Sequence, residues 1–407
     1  MEKTTGLTND LKVMLGLRAA RGVTDIFLGT FLIAHFLNIS GNNVVPISLY
    51  NVAWAAAIGT MFVLMGNFIK GKNKLVSLRI AAGMNLIYLL AIIFLREKII
   101  DYIVFCGAWY GVSIATYAFP FNVMISEKVN KKTMTKFIGY SAAIGSLISI
   151  LMPLLFGIFI TVGSYEKTAL VLLFFTTLEF TISFFMKSKP SSVETFKLKN
   201  FLKTLKKDYL VKQAYLIEYF RGMTMAAGAL NVMIVLYVVY IFKTNLNLGI
   251  FTSVFAGFTI LLNILFGHHV KRCHFPRILT ASMVFITVAS VFFVINPANY
   301  SLIFYNFCFA TAVQILNTIV DVNLFNISNH AHIKKSNRIE YFAAREIFLN
   351  LGRVTSFTLL FIFALWANFE LIKYLLLFLT FVIVLIAYLS IRLNKEISDE
   401  DENPLQS

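Results

Sequence analysis

Arg21-Gly22-Val23-Thr24, near the start of the chain, returns as Arg221-Gly222-Met223-Thr224. Other phrases recur in the same order and at nearly the same offset. Gly66 with Lys70 returns as Gly267 with Lys271, Asn122 as Asn323, and Tyr140-x-Ala142-Ala143 as Tyr341-x-Ala343-Ala344. The copies sit at the edges of long apolar runs, so one helical bundle has been made twice. In lipid, a duplicated bundle points to a machine whose halves rock around a site between them.

Composition fixes the solvent. With 58% apolar, 15% aromatic and only 14% charged residues, and with 41 Phe, the chain is unlike a water-soluble domain. An outer-membrane barrel would show short alternating segments, which this sequence lacks. A helical span needs about 20 mostly apolar residues. Apolar runs between charged or Pro/Gly/Asn-bearing breaks predict twelve spans: 16–38, 46–69, 75–95, 99–125, 136–162, 167–186, 212–241, 246–268, 278–296, 300–325, 339–366 and 370–391. The eleventh carries Arg345, Glu346 and Arg353 and is weak on hydropathy alone; its match to the fifth supports it.

The expected fold is therefore an all-α integral membrane protein of two pseudo-symmetric six-helix halves. Residues 1–186 form the first half, 187–211 a basic cytoplasmic linker, 212–391 the second half, and 392–407 an acidic tail expected to be disordered. The linker has amphipathic spacing, with Phe196, Leu198, Phe201, Leu202 and Leu205 towards lipid or protein.

A net charge of +16 raises the question of nucleic acid. Topology answers it. With the N-terminus inside, the outer loops hold Arg96, Lys98, Lys167, Lys243 and Lys373, while Arg221, Arg345 and Arg353 lie within spans; the other Lys and Arg fall in segments facing the cytoplasm. Both termini are then cytoplasmic, no nucleic-acid partner is needed, and the bilayer itself is the partner. Richness in Lys, Ile, Asn and Phe suggests an AT-rich bacterial genome, hence an inner-membrane location. A monomer is expected. Cys106, Cys273 and Cys308 provide no disulfide framework.

Two motifs are set aside. Gly66-Asn67-Phe68-Ile69-Lys70-Gly71-Lys72-Asn73 nearly matches a P-loop, yet it ends a span instead of following a strand, and Asn73 replaces the magnesium-binding Ser/Thr. His268, His269, Cys273 and His274 match no standard zinc spacing. No metal and no cofactor is expected. A membrane enzyme is disfavoured, because the spans hold no compact nucleophile-and-base or H-E-x-x-H arrangement.

Twelve spans, six plus six, around a basic internal loop and with matched turns after the second and eighth spans, resemble the major facilitator superfamily of secondary transporters. In that family the turn after the second span reads G-x-x-x-D-R-x-G-R. Here Gly66 and Lys74 match its ends, while Lys70 and Gly71 replace Asp and Arg, so the family's usual ion pair at this gate cannot form in the same way. The phrases Glu340-Tyr341-Phe342-Ala343-Ala344-Arg345-Glu346 and Asn350-Leu351-Gly352-Arg353 look like poorly characterised bacterial permeases of this superfamily. The resemblance implies alternating access of a small-molecule substrate to a central cavity.

Charges placed where hydrocarbon belongs nominate the site. Each costs about 2.5–3.5 kcal/mol at the bilayer centre, so such residues face a protein interior or a wet cavity. Arg18, Arg21 and Asp25 share a stripe of the first span, and Glu218 and Arg221 occupy the repeat-equivalent places of Arg18 and Arg21. Arg18, Arg21, Glu218, Arg221 and Arg345 are the expected cytoplasmic gate. Asp25, Asp321, Glu346, Arg353, Asn317 and Gln314 are the expected substrate or proton-coupling residues, with structural ion pairing as the competing role. Glu179 stands more isolated. Where the copies disagree they nominate function: Asp25 faces Met225, Gly145 faces Glu346, and Met152 faces Arg353. The expected activity is proton-coupled export of a small organic solute. A non-transporting sensor or partner subunit and a lipid flippase are the alternatives.

Overall fold

The computed structural model describes residues 7–71, 74–128, 131–186, 196–205, 208–269, 274–329, 338–366 and 371–402. Among them regular structure is helical: α1 Asn9–Ile26, α2 Leu32–Ile39, α3 Val44–Gly71, α4 Lys74–Leu95, α5 Ile103–Lys128, α6 Lys131–Val162, α7 Tyr165–Ile182, α8 Leu198–Leu205, α9 Tyr209–Met223, α10 Ala229–Phe242, α11 Asn245–His269, α12 Phe275–Ile295, α13 Asn299–Asn329, α14 Arg338–Trp366 and α15 Ile372–Glu402. Side chains that cap free N–H groups start several of them. Thr8 caps α1 through the Leu11 N–H, Ser164 caps α7 through Lys167, and Asp208 caps α9 through Val211.

Ten helical stretches are long and apolar enough to cross a membrane among the described residues. Nine match single expected spans. The tenth, Lys74–Ile125, holds the third and fourth together, joined by the 3₁₀ turn Arg96–Tyr102. Large apolar side chains stand on the outside, with Phe94 79% and Trp366 85% exposed. Such surfaces suit hydrocarbon and not water. The protein is a multi-pass membrane protein.

The seventh span differs from the expected continuous helix. It is broken between α9 and α10, with Ala227 in the left-handed region at φ 55°. Hydropathy is blind to this break because Met225, Ala226 and Ala227 are apolar. Tertiary contacts hold it open: Arg353 Nε donates to the Ala226 carbonyl (2.7 Å), Asn231 Nδ2 to the Met225 carbonyl (3.1 Å), and the Ala229 N–H to Ser356 Oγ (3.3 Å). These bonds replace the helix ladder, as backbone at membrane depth requires. The first span has its own defect at the equivalent place, a π-turn over Phe27–Phe31 between α1 and α2.

The tail expectation is also corrected. α15 runs on to Glu402, so much of 392–407 is helix, steadied by an Arg392–Glu396 pair at 3.0 Å one turn apart. The linker forms α8, whose Leu198 and Phe201 are buried; the Phe201 ring meets Tyr341 edge-on at 6.5 Å, and the Lys197 N–H donates to Glu340 Oε1 (3.1 Å). Its apolar face is therefore turned to protein. Residues 187–195 lie outside the described residues, as do Lys72 and Asn73 of the P-loop-like phrase. Gly66–Gly71 is the end of helix α3.

Chain contacts divide the protein into two compact units. The first is Met1–Asn42, Leu49–Phe196 and Phe242–Gly257; the second is Asn43–Ser48, Lys197–Ile241 and Phe258–Ser407. The duplication is visible in how each unit is assembled. In the first, α1 packs on α6 and α7, and α4 packs on α5 and α7. In the second, α9 packs on α14 and α15, and α12 packs on α13 and α15. These are the same four pairings between repeat-equivalent helices.

Candidate functional site

Each unit holds one cluster of charges among apolar helices, and each cluster is organised by the arginine of the repeated Arg-Gly-x-Thr phrase. In the first unit Arg21 is 3% exposed. Its Nε donates to Asp25 Oδ1 (2.9 Å), one helical turn along α1, and its Nη1 reaches Ser113 Oγ on α5 (3.4 Å). Ser113 in turn donates to Asn85 Oδ1 on α4 (2.7 Å). Tyr110 donates its hydroxyl to Asp25 Oδ1 (3.2 Å), and the Arg21 guanidinium lies 5.0 Å from the centre of the Tyr117 ring. The planar fork of arginine can serve several acceptors at once and stack on an aromatic face. On α7, Glu179 Oε1 stands 3.8 Å from Arg21 Nη1, and Thr176 meets Thr24 hydroxyl to hydroxyl at 3.3 Å.

The second unit repeats the plan with more charge. Arg221 Nη1 bonds Glu218 Oε1 (2.9 Å) and Asp321 Oδ1 (2.8 Å), while its Nε donates to Asn317 Oδ1 (2.9 Å). Arg345 Nε holds the other Glu218 oxygen (3.1 Å) and approaches Asp321 at 3.9 Å and Glu346 at 3.8 Å. Glu218 is fully buried between two arginines, whereas the Asp321 side chain is 47% exposed. Arg353 belongs to the break in the seventh span, with its Nη1 on Asn350 Oδ1 (2.9 Å) and its Nε on the Ala226 carbonyl. Gln314 bonds Asn263 instead of joining the cluster.

Backbone packing explains the glycine of the phrase. A side chain at Gly222 would strike the Leu349 carbonyl of α14, and one at Gly352 of α14 would strike the Tyr219 carbonyl of α9. The two helices touch backbone to backbone, which brings Arg345 of α14 to Glu218. Gly22 is different. A Cβ there would sit 3.7 Å from an Ile148 methyl, an ordinary contact.

Of the expected gate residues, Glu218, Arg221 and Arg345 are joined in one network with Asp321, Asn317 and Glu346 from the expected central set. Arg21 is joined with Asp25. Side chains expected at the gate and in the centre are thus joined in the same networks. Arg18 is exposed, and the Glu218 carboxylate is occupied by Arg221 and Arg345 of its own unit. Sequence reasoning left out Tyr110, Ser113, Asn85 and Asn350, and it kept Glu179 apart. Ser113 had a signal available: at the repeat offset it faces Gln314. The tyrosines had none among so many aromatics. Among the described residues no three metal-ligating side chains cluster; His268 and His269 end helix α11, and Cys273 lies outside the described residues.

No protein-family model matches the sequence, and no curated protein matches it. Solved structures do match. A bacterial homologue of the iron transporter ferroportin, inward-facing, superimposes with a TM-score of 0.69 at 13% identity, over 94% of this chain and 97% of that one. The nucleoside transporter NupG gives 0.67 at 10% identity, over 94% and 99%. The human organic anion transporter MFSD10 gives 0.63 at 10% identity, over 94% and 98%. With the spans, the duplicated pairings and these likenesses together, the chain has the major facilitator fold.

Proposed function

We propose that the protein is a secondary active transporter that moves a small organic solute by alternating access, driven by protons, in the direction of export. The observation that carries this reading is the pair of arginine-centred clusters at repeat-equivalent places, Arg21 with Asp25 and Arg221 with Glu218 and Asp321. Charges inside a membrane bundle are costly, and substrate or ion pathways are what they commonly mark. Asp25 and Asp321, each paired yet partly exposed, are the groups best placed to trade an arginine for a proton or a ligand. The structures it resembles are described as a bacterial homologue of an iron transporter, a bacterial metal transporter, a nucleoside transporter and an organic anion transporter. In this chain Asp25, Glu218 and Asp321 are already held by arginines, which favours an organic cargo over a bare metal ion. On this reading the protein works as a monomer in a bacterial inner membrane, with both termini in the cytoplasm.

Purified protein in proteoliposomes, screened against labelled organic solutes under an imposed pH gradient, tests the reading. Transport should fall several-fold when the gradient is collapsed and in Asp25→Asn or Glu346→Gln. Transport indifferent to all three sinks proton coupling. A sensor that has kept the fold is separated by single cysteines lining the clusters: a transporter exposes them alternately to each side, a locked scaffold to one.

A further inference from the structure

Glu179 is the odd charge of the first cluster. It lies on α7, 1% exposed, and neither of its carboxylate oxygens has a hydrogen-bond partner. Its nearest cation, Arg21 Nη1, is 3.8 Å away, close enough for attraction and too far for a hydrogen bond. Three further buried polar atoms of this cluster are unsatisfied as well: Arg21 Nη2, Asn85 Nδ2 and Tyr117 Oη. Unmet donors and acceptors in the same cluster as a buried carboxylate are an expensive arrangement that a structural lock does not need.

The two clusters differ in charge balance. In the second, Arg221, Arg345 and Arg353 match Glu218, Asp321 and Glu346 one for one. In the first, a single arginine faces both Asp25 and Glu179, and Asp25 has the better geometry, with a direct bond at 2.9 Å against 3.8 Å. Other charged or titratable groups do not redress this. From α1 come Arg21 and Asp25, with Arg18 acting on Tyr117; from α5 come Tyr117 and Tyr110, the latter bonded to Asp25; from α4 comes neutral Asn85, while Arg79 lies over the Phe184 ring at 4.3 Å; α6 has its lysines, Lys131, Lys132 and Lys136, only in its first two turns. A buried carboxylate left without hydrogen bonds takes up a cation or a proton. Among the described residues no third metal-ligating side chain joins Asp25 and Glu179, so the proton is the fitting occupant.

We infer that Glu179 is the group that binds and releases the proton coupled to transport, with Arg21 as its relay to Asp25. Protonation forms one O–H bond on the Glu179 carboxyl and leaves Asp25 as the carboxylate that holds Arg21, in keeping with 2.9 Å to Asp25 against 3.8 Å to Glu179. Loss of that proton to water leaves two carboxylates competing for one guanidinium. Arg21 is then drawn towards Glu179, and Asp25, whose side chain is 41% exposed, is freed for a ligand. The proton is therefore read at one acid and expressed at another. This rests on the proton-coupled reading above and names the residue that performs it.

Full-length protein in liposomes, examined by infrared difference spectroscopy as pH is lowered, tests the inference without a known substrate. A band from a buried protonated carboxyl should titrate in the wild type, vanish in Glu179→Gln and persist in Asp25→Asn. Gln keeps the shape and neutrality of the protonated acid, so the variant should fold; an unchanged elution profile in detergent confirms it, and Glu179→Asp should retain a band with a displaced midpoint. A band that survives in Glu179→Gln, or that Asp25→Asn alone abolishes, overturns the assignment. Transport indifferent to a pH gradient alongside a band that titrates and depends on Glu179 would instead defeat proton driving while leaving the proton site in place.

Discussion

At the scale of single residues, burial decides what each ion pair is worth. Glu218 has no exposed surface and holds Arg221 and Arg345 at once, so its loss leaves two cations without their carboxylate in a dry place. Glu218→Gln should cost about 3–5 kcal/mol of stability, the range for stripping one partner from a buried pair. Asp321 bonds the same Arg221 at a shorter distance, yet nearly half of its side chain is accessible. Asp321→Asn should cost about 1 kcal/mol or less. Thermal unfolding in detergent, followed by fluorescence-detected size exclusion, will rank the two; equal losses would show that exposure is not the governing variable. The sequence disclosed which charges lie in the spans but not their partners. Arg221 and Asp321 are far apart along the chain, and only the packing of α9 on α13 shows that they bond.

Among elements, the tightest constraint is the backbone contact between α9 and α14. Gly222→Ala and Gly352→Ala each push a methyl into a carbonyl of the facing helix and should destabilise by about 2 kcal/mol or more, as overpacking does. Gly22→Ala, the same change in the other copy of the phrase, meets only an ordinary methyl contact and gains helix propensity, up to about 1 kcal/mol. The same melting assay applied to the three variants should split them; a loss at Gly22 matching that at Gly222 would refute the asymmetry. Spans and repeat were legible because both are written in hydropathy and identity along the chain. The break after Thr224 was not. It is imposed by Arg353 and Ser356 arriving from another helix, and a run of Met and Ala gives no hint of it.

For the whole molecule, the distribution of basic residues predicts which surface meets the cytoplasm. In a variant with Cys106, Cys273 and Cys308 replaced, Lys98→Cys should react with an impermeant maleimide on intact cells and Lys203→Cys only after the membrane is opened. Reaction of Lys203→Cys on intact cells would invert the topology. The broken seventh span has a consequence for how the protein is made. At about 1.5 Å per residue, the 15 residues of α9 and the 14 of α10 each reach roughly 20 Å, short of a hydrocarbon core of about 30 Å. Neither piece is a competent insertion signal alone, and the carbonyl of Ala226 between them waits for Arg353, which leaves the ribosome more than a hundred residues later. Until then the nascent chain carries an unfinished joint within the bilayer, so biogenesis of the second unit must remain open until its eleventh span arrives to close it.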